Sequence, residues 1–176
     1  MKERINRYAI FALITIITLG ASCSGTGISS DNNSGSYQVP IVDFDGIRPI
    51  LEQSNDTTYI VNFWATWCAP CVRELPYFER ITKEYANKKV KVILVNLDFP
   101  NHYETRLIPF LEENEIQSKV IMLDDPDANR WIPEVDLDWT GAIPATVIFN
   151  SKERKFFPRE VKYEELEEVV QQFINQ

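Results

Sequence analysis

The chain alternates between apolar runs rich in β-branched and aromatic residues and stretches in which apolar side chains recur every three or four positions. Residues 59–64 (Tyr-Ile-Val-Asn-Phe-Trp) and 90–97 are near-continuous apolar runs, the mark of strands covered on both faces. Residues 119–123 and 145–150 repeat that signature, and 155–158 make a further short strand. Between the first two runs, Val72, Leu75, Phe78, Ile81 and Tyr85 recur at helical spacing. They predict a helix to about residue 86 with one apolar face, bent at Pro76, where a helix-interior proline loses a backbone bond. Leu107, Phe110 and Leu111 place a helix over 103–114, a shorter one is predicted over 127–135, and an amphipathic one over 163–173. Ahead of the central strand, 37–44 read as a short strand, Asp45-Gly46 as a turn and 47–53 as a brief helix. Strands alternating with helices, then an adjacent strand pair, predict an α/β domain: a central mixed sheet with helices on both faces. No internal repeat is evident.

Two segments fall outside this pattern. Residues 8–19 are apolar and follow Lys2, Arg4 and Arg7, a run too short to span a bilayer comfortably but suited to the core of a secretory signal. Gly20-Ala21-Ser22 supplies small residues before Cys23, so residues 1–22 resemble a bacterial lipoprotein signal whose removal leaves Cys23 lipidated. Gly20 departs from the leucine usual three places before that cysteine. Ordinary cleavage near Ala21 or Ser22 with Cys23 left free, and an uncleaved anchor, are the alternatives. Residues 24–36 are rich in Ser, Gly, Asn and Asp, so 23–36 read as a flexible tether reaching on the order of 20 Å, and 37–176 as one domain. The chain of 176 residues carries a net charge of −8, and the signal takes three basic residues with it. Such acidity argues against nucleic acid and against charge-driven adhesion to anionic lipid, leaving acyl chains to hold the protein to a membrane.

The central apolar run ends in Trp67-Cys68-Ala69-Pro70-Cys71. Pro70 lacks an amide hydrogen and has its φ preset, so it suits the first turn of the following helix and sets Cys68 at that helix's positive end. Unpaired amides there stabilise a thiolate, the nucleophile of disulfide chemistry. Cys68 is therefore expected to attack, and Cys71, one turn deeper, to resolve the mixed disulfide. Two other readings stay open. One makes the pair half of a zinc site, though only Cys23 and His102 remain as further Cys or His ligands; the other makes it a static structural disulfide.

Taken together, FWATWCAPC followed by Arg73-Glu74-Leu75-Pro76, with the later strand that begins Ile143-Pro144-Ala145-Thr146, resembles the thioredoxin superfamily, in particular its TlpA/ResA-type membrane-anchored branch. The resemblance covers residues 39 to the C-terminus. It implies a thioredoxin-like fold in which the segments over 90–135 form a βαβ-type insertion before a cis-proline. Pro144 matches that cis-proline, which faces the dithiol and leaves the Ile143 backbone free to pair with a substrate strand. Glu74 matches the glutamate that tunes the cysteines in this branch, although three-residue spacing after Cys71 also suits an ordinary solvated helix residue. Asn62 stands where thioredoxins carry a buried, titratable aspartate.

Trp67, Ala69, Pro70 and Ile143 are expected to make the docking surface, Trp64 to pack in the core, and Asp138 and Trp139 to rim the site. His102 reads as a solvated loop residue. The function expected is a cell-envelope thiol-disulfide oxidoreductase that reduces disulfides of periplasmic partner proteins. It would be lipid-anchored to a bacterial membrane, recharged by an upstream membrane electron donor, and would need no cofactor beyond the Cys68–Cys71 pair. A disulfide oxidase or isomerase, and a non-catalytic adaptor of the same fold, are the alternatives.

Overall fold

The protein is described by a computed structural model covering residues 37–175. The expected signal, the lipidation of Cys23 and the tether over 23–36 lie outside the described residues. Six strands form one sheet in the order β1-β4-β3-β2-β5-β6. These are β1 (Ile41–Val42), β2 (Thr58–Trp64), β3 (Val90–Asn96), β4 (Lys119–Leu123), β5 (Ala145–Phe149) and β6 (Arg154–Phe157). The first four in spatial order run parallel, whereas β5 runs antiparallel to β2 and pairs with β6 as a hairpin. This is the mixed sheet the element pattern predicts.

Every residue of β2 is buried, so its side chains alternate between two cores. Ile60, Asn62 and Trp64 face α2 (Ala69–Glu84), α3 (Ile108–Glu113) and α5 (Tyr163–Ile174), where Leu75, Phe78, Leu111 and Leu166 join them. Tyr59, Val61 and Phe63 face α1 (Phe44–Leu51) and α4 (Ala128–Val135), packing on Phe44, Trp131 and Trp139. Trp64 is in the core, as its neighbours in sequence imply.

Two stretches fold differently from the pattern reading. Only Ile41–Val42 of residues 37–44 is strand, because Asp43 caps α1 by accepting from the Gly46 amide and turns the expected Asp45-Gly46 turn into the helix's first turn. A Cβ on Gly46 would come within 2.8 Å of the Val42 Cβ, so the glycine lets α1 lie against β1. The single helix expected over 103–114 is broken into a wide turn (Tyr103–Leu107) and α3, with a 3-10 turn (Pro100–His102) ahead of them. Pro109 has no N–H for a continuous helix, and the Ile108 amide reaches back to the Tyr103 carbonyl instead. By contrast α2 runs through Pro76 as one element. Among the described residues no helix is long and apolar enough to cross a membrane.

Candidate active site

The site stands at the C-terminal end of β2, where the chain turns into α2. Cys68 is the N-cap of α2 in extended conformation, and Pro70 occupies the first turn. The sulfurs of Cys68 and Cys71 are joined in a disulfide with the Cα atoms 5.2 Å apart. The Cys71 amide donates to Cys68 Sγ at 3.3 Å, so a backbone N–H already points at the sulfur on which charge would develop. Cys68 is 5 % exposed and Cys71 fully buried, so an incoming partner meets Cys68 first. Trp67, 56 % exposed, stands beside it as an open aromatic face.

The loop before the cysteines is tied to the end of β3. Asp98, almost fully buried, accepts from the Thr66 amide at 3.1 Å and from Asn96 Nδ2 at 3.3 Å, while Asn96 Oδ1 accepts from the Asp98 amide. Neither Asn96 nor Asp98 stands out in the sequence, since an Asn-x-Asp pair after a strand reads as an ordinary turn.

One turn past Cys71 on α2, Glu74 is fully buried rather than solvated. Its Oε1 accepts from Asn62 Nδ2 at 2.8 Å and its Oε2 from the Val161 amide at 2.8 Å. Asn62 Nδ2 also donates to Thr146 Oγ1 at 3.0 Å. Burial pushes the Glu74 carboxyl up to about 7. The hydrogen bonds from Val161 and Asn62 act the other way and are outweighed, and the nearby Glu160 carboxylate adds to the rise. Val161 and Thr146 escape sequence reasoning because they lie 87 and 84 residues from their partners and contribute a backbone amide and a small hydroxyl.

The Ile143–Pro144 peptide is cis, the conformation the resemblance implies, and Pro144 is buried immediately before β5. The ladder to β2 ends at Phe63 opposite Ala145, which leaves Ile143 beyond it, half-buried against both cores. Trp139 does not rim the site. It is buried beneath this loop, donates its indole N–H to the Ala142 carbonyl at 2.7 Å, and packs on Phe63 and Trp131 with ring centroids 4.8 and 5.6 Å away. An indole fills space under the loop that a solvent-facing rim would leave open. Asp138 is exposed. His102 is half-buried with its ring edge against Phe99, not fully solvated, because the 3-10 turn folds it back. Among the described residues, no group of three His, Cys, Asp or Glu side chains is placed to hold a metal ion.

A mixed sheet with helices on both faces, a Cys-x-x-Cys pair capping the helix after the central strand and a cis-proline opening the antiparallel strand define a thioredoxin-like protein. Residues 38–154 match the AhpC/TSA family, and the chain belongs to that family. It is similar to the thioredoxin-like protein YneN of Bacillus subtilis, with 31% identity over 77 residues that cover 44% of this chain and 45% of that one. It is also similar to the thiol-disulfide oxidoreductase ResA of Oceanobacillus iheyensis, 29% identical over 109 residues, 55% of this chain and 56% of that one. The chain thus spans about half the length of the curated relatives it matches. Among solved structures, a DsbF homologue from Corynebacterium diphtheriae shares 25% identity and superposes with a TM-score of 0.54 over 67% of this chain and 73% of that one.

Proposed function

We propose that the protein is a thiol-disulfide oxidoreductase of the ResA type that reduces disulfides of partner proteins. The observation that carries this reading is the coupling of a helix-capping disulfide to a buried carboxyl, Glu74, poised near neutrality one turn away on the same helix. In the reduced form, the Cys68 thiolate attacks a partner disulfide, the S–S bond breaks, and one partner sulfur leaves as a thiolate. Cys71 gives up its proton, for which Glu74 is the nearby acceptor, and its thiolate attacks Cys68 Sγ. The second partner sulfur departs, two electrons have passed to the partner, and the Cys68–Cys71 disulfide seen here remains. A carboxyl held near neutral pH takes and returns a proton without a large driving force in either direction, which is what a reversible relay needs. We assign docking to Trp67, Ala69, Pro70 and Ile143, with Pro144 shaping the groove. The carboxylate-bearing helix, the dithiol and the names of the curated relatives all support this chemistry, which uses the cysteine pair alone.

The reducing direction requires a donor that regenerates the dithiol, and we assign that role to a membrane electron carrier. We place the protein in the cell envelope with the domain facing the periplasm, held by a lipid on Cys23. The support for this is the basic, apolar and small-residue order of residues 2–23. Trapping with Cys71→Ala tests the enzymatic reading: loss of the resolving sulfur should freeze partner proteins on Cys68 as mixed disulfides identifiable by mass spectrometry. Recovery of no covalent partner would overturn it. Equilibration against glutathione tests direction, and a potential near about −120 mV, typical of strong oxidants, would exclude the reducing role.

A further inference from the structure

Asn62 lies at the centre of β2, fully buried and paired in register with Thr146 of β5. Its Nδ2 donates twice, to Glu74 Oε1 and to Thr146 Oγ1, whereas its Oδ1 is buried with no hydrogen-bond partner among the described residues. A buried amide with both donors engaged and its acceptor idle suits only one charge state of its neighbour. With Glu74 ionised, both carboxylate oxygens accept, Oε1 from Asn62 and Oε2 from the Val161 amide. When Glu74 takes up a proton, Oε2 must go on accepting, because a backbone N–H can only donate. The proton therefore belongs on Oε1, where it confronts the Asn62 donor. A half-turn of the amide about its Cβ–Cγ bond removes the conflict at Oε1 and carries the NH2 to the place that Oδ1 held. Asn62 Oδ1 then accepts from Glu74 Oε1–H and from the Thr146 hydroxyl, which reverses because a hydroxyl both donates and accepts.

We infer that Asn62 is a positioning residue that couples the proton on Glu74 to β5, its side-chain amide reversing as Glu74 changes charge and the Thr146 hydroxyl reversing with it. Thr146 lies two residues after Pro144, so the strand that opens at the docking proline senses the state of the buried acid. Burial holds Glu74 near neutrality, so both states are visited under ordinary conditions. Among the described residues, the charged group that acts on Glu74 from another element is Glu160, in the loop between β6 and α5, itself paired with Arg73 of α2 at 2.7 Å and close to Lys162. Neither Asn62, Thr146 nor the Val161 amide brings a charge. The inference builds on the proton-acceptor role given to Glu74 above, but its test does not need turnover.

In isotope-labelled, oxidised full chain, NMR contacts between the Asn62 side-chain NH2 and the Thr146 methyl are followed while the Glu74 carboxyl carbon is titrated from about pH 5 to about pH 9. The contact is expected above the Glu74 midpoint and lost below it, with the two curves sharing one midpoint. Asn62→Leu removes the donor that favours the carboxylate and is expected to raise that midpoint by about one pH unit. That shift reports the donor to Glu74, and the loss of the amide–methyl contact reports the reversal. A contact that persists through the titration, or an unmoved midpoint in Asn62→Leu, overturns the inference. If the contact switches in a protein that exchanges with no disulfide, the oxidoreductase reading falls and this one stands. An active protein whose amide stays fixed keeps the oxidoreductase reading and overturns the switch.

Discussion

Replacing Glu74 by Gln should make the protein more stable at alkaline pH, although it removes a hydrogen-bonded residue from the core. In the folded state burial raises the Glu74 carboxyl from 4.5 to about 7. Below about pH 4.5 both folded and unfolded forms hold the proton, and the group has no linkage effect. Between there and about pH 7 the folded protein keeps a proton that the unfolded chain has released, so stability falls as pH rises, and above about pH 7 the loss is complete. At about 1.4 kcal/mol per pKa unit, the rise corresponds to about 3 kcal/mol. Glutamine never ionises. Its Oε1 still accepts from the Val161 amide, and its NH2 finds an acceptor once the Asn62 amide turns its idle Oδ1 inward. Urea unfolding of both oxidised proteins at a series of pH values isolates the effect, because every other titrating group is common to the two curves. The stability of Glu74→Gln minus that of the parent should climb by about 2.5 kcal/mol between about pH 5 and about pH 8, the rest of the change falling outside that window. A difference that stays flat within about 0.5 kcal/mol would show that Glu74 ionises in the core as readily as in water, and the desolvation argument would fail.

Trp67→Ala should leave the urea midpoint unchanged, because the ring is largely exposed, while slowing mixed-disulfide formation with protein partners measured by quenched-flow alkylation. Asp98→Ala strands the Thr66 amide in front of Cys68, with an expected loss of about 1–3 kcal/mol and faster hydrogen exchange at Thr66. Gly46→Ala drives a methyl into the Val42 side chain and should cost about 1–3 kcal/mol by thermal or urea unfolding, without changing the reactivity of the cysteines.

The parts of this molecule that were legible in its sequence are those set by short-range periodicity. The apolar run into Trp64, the helical spacing from Val72 to Tyr85 and the strand over 119–123 state their own geometry, and Pro70 marks where strand gives way to helix. The cysteine pair was legible for the same reason, since its placement depends only on its neighbours. Glu74 was legible only through the resemblance, and its burial was not, because a residue three places after a cysteine looks the same whether it meets water or a core. What buries it are Asn62 on β2 and the amide of Val161, partners that only the folded chain brings together. Asp45 and Gly46 misled in a local way: the residues that make a turn are those that start a helix, and the packing of Phe44 and Ile47 into the core decides between the two. Pro109 carried the information that the helix over 103–114 breaks, but not that the chain bridges the break with a wider turn.

Trp139 pins the loop that ends in Pro144 from the side of the sheet that carries α1 and α4, whereas the sulfurs and Glu74 belong to the side that carries α2 and α5. The turn that opens β5 is thus braced from the layer opposite the sulfurs, with Ile143 wedged between the two cores. A smaller side chain at Trp139 would therefore loosen Ile143 and Pro144 from behind while leaving Cys68, Cys71 and Glu74 untouched.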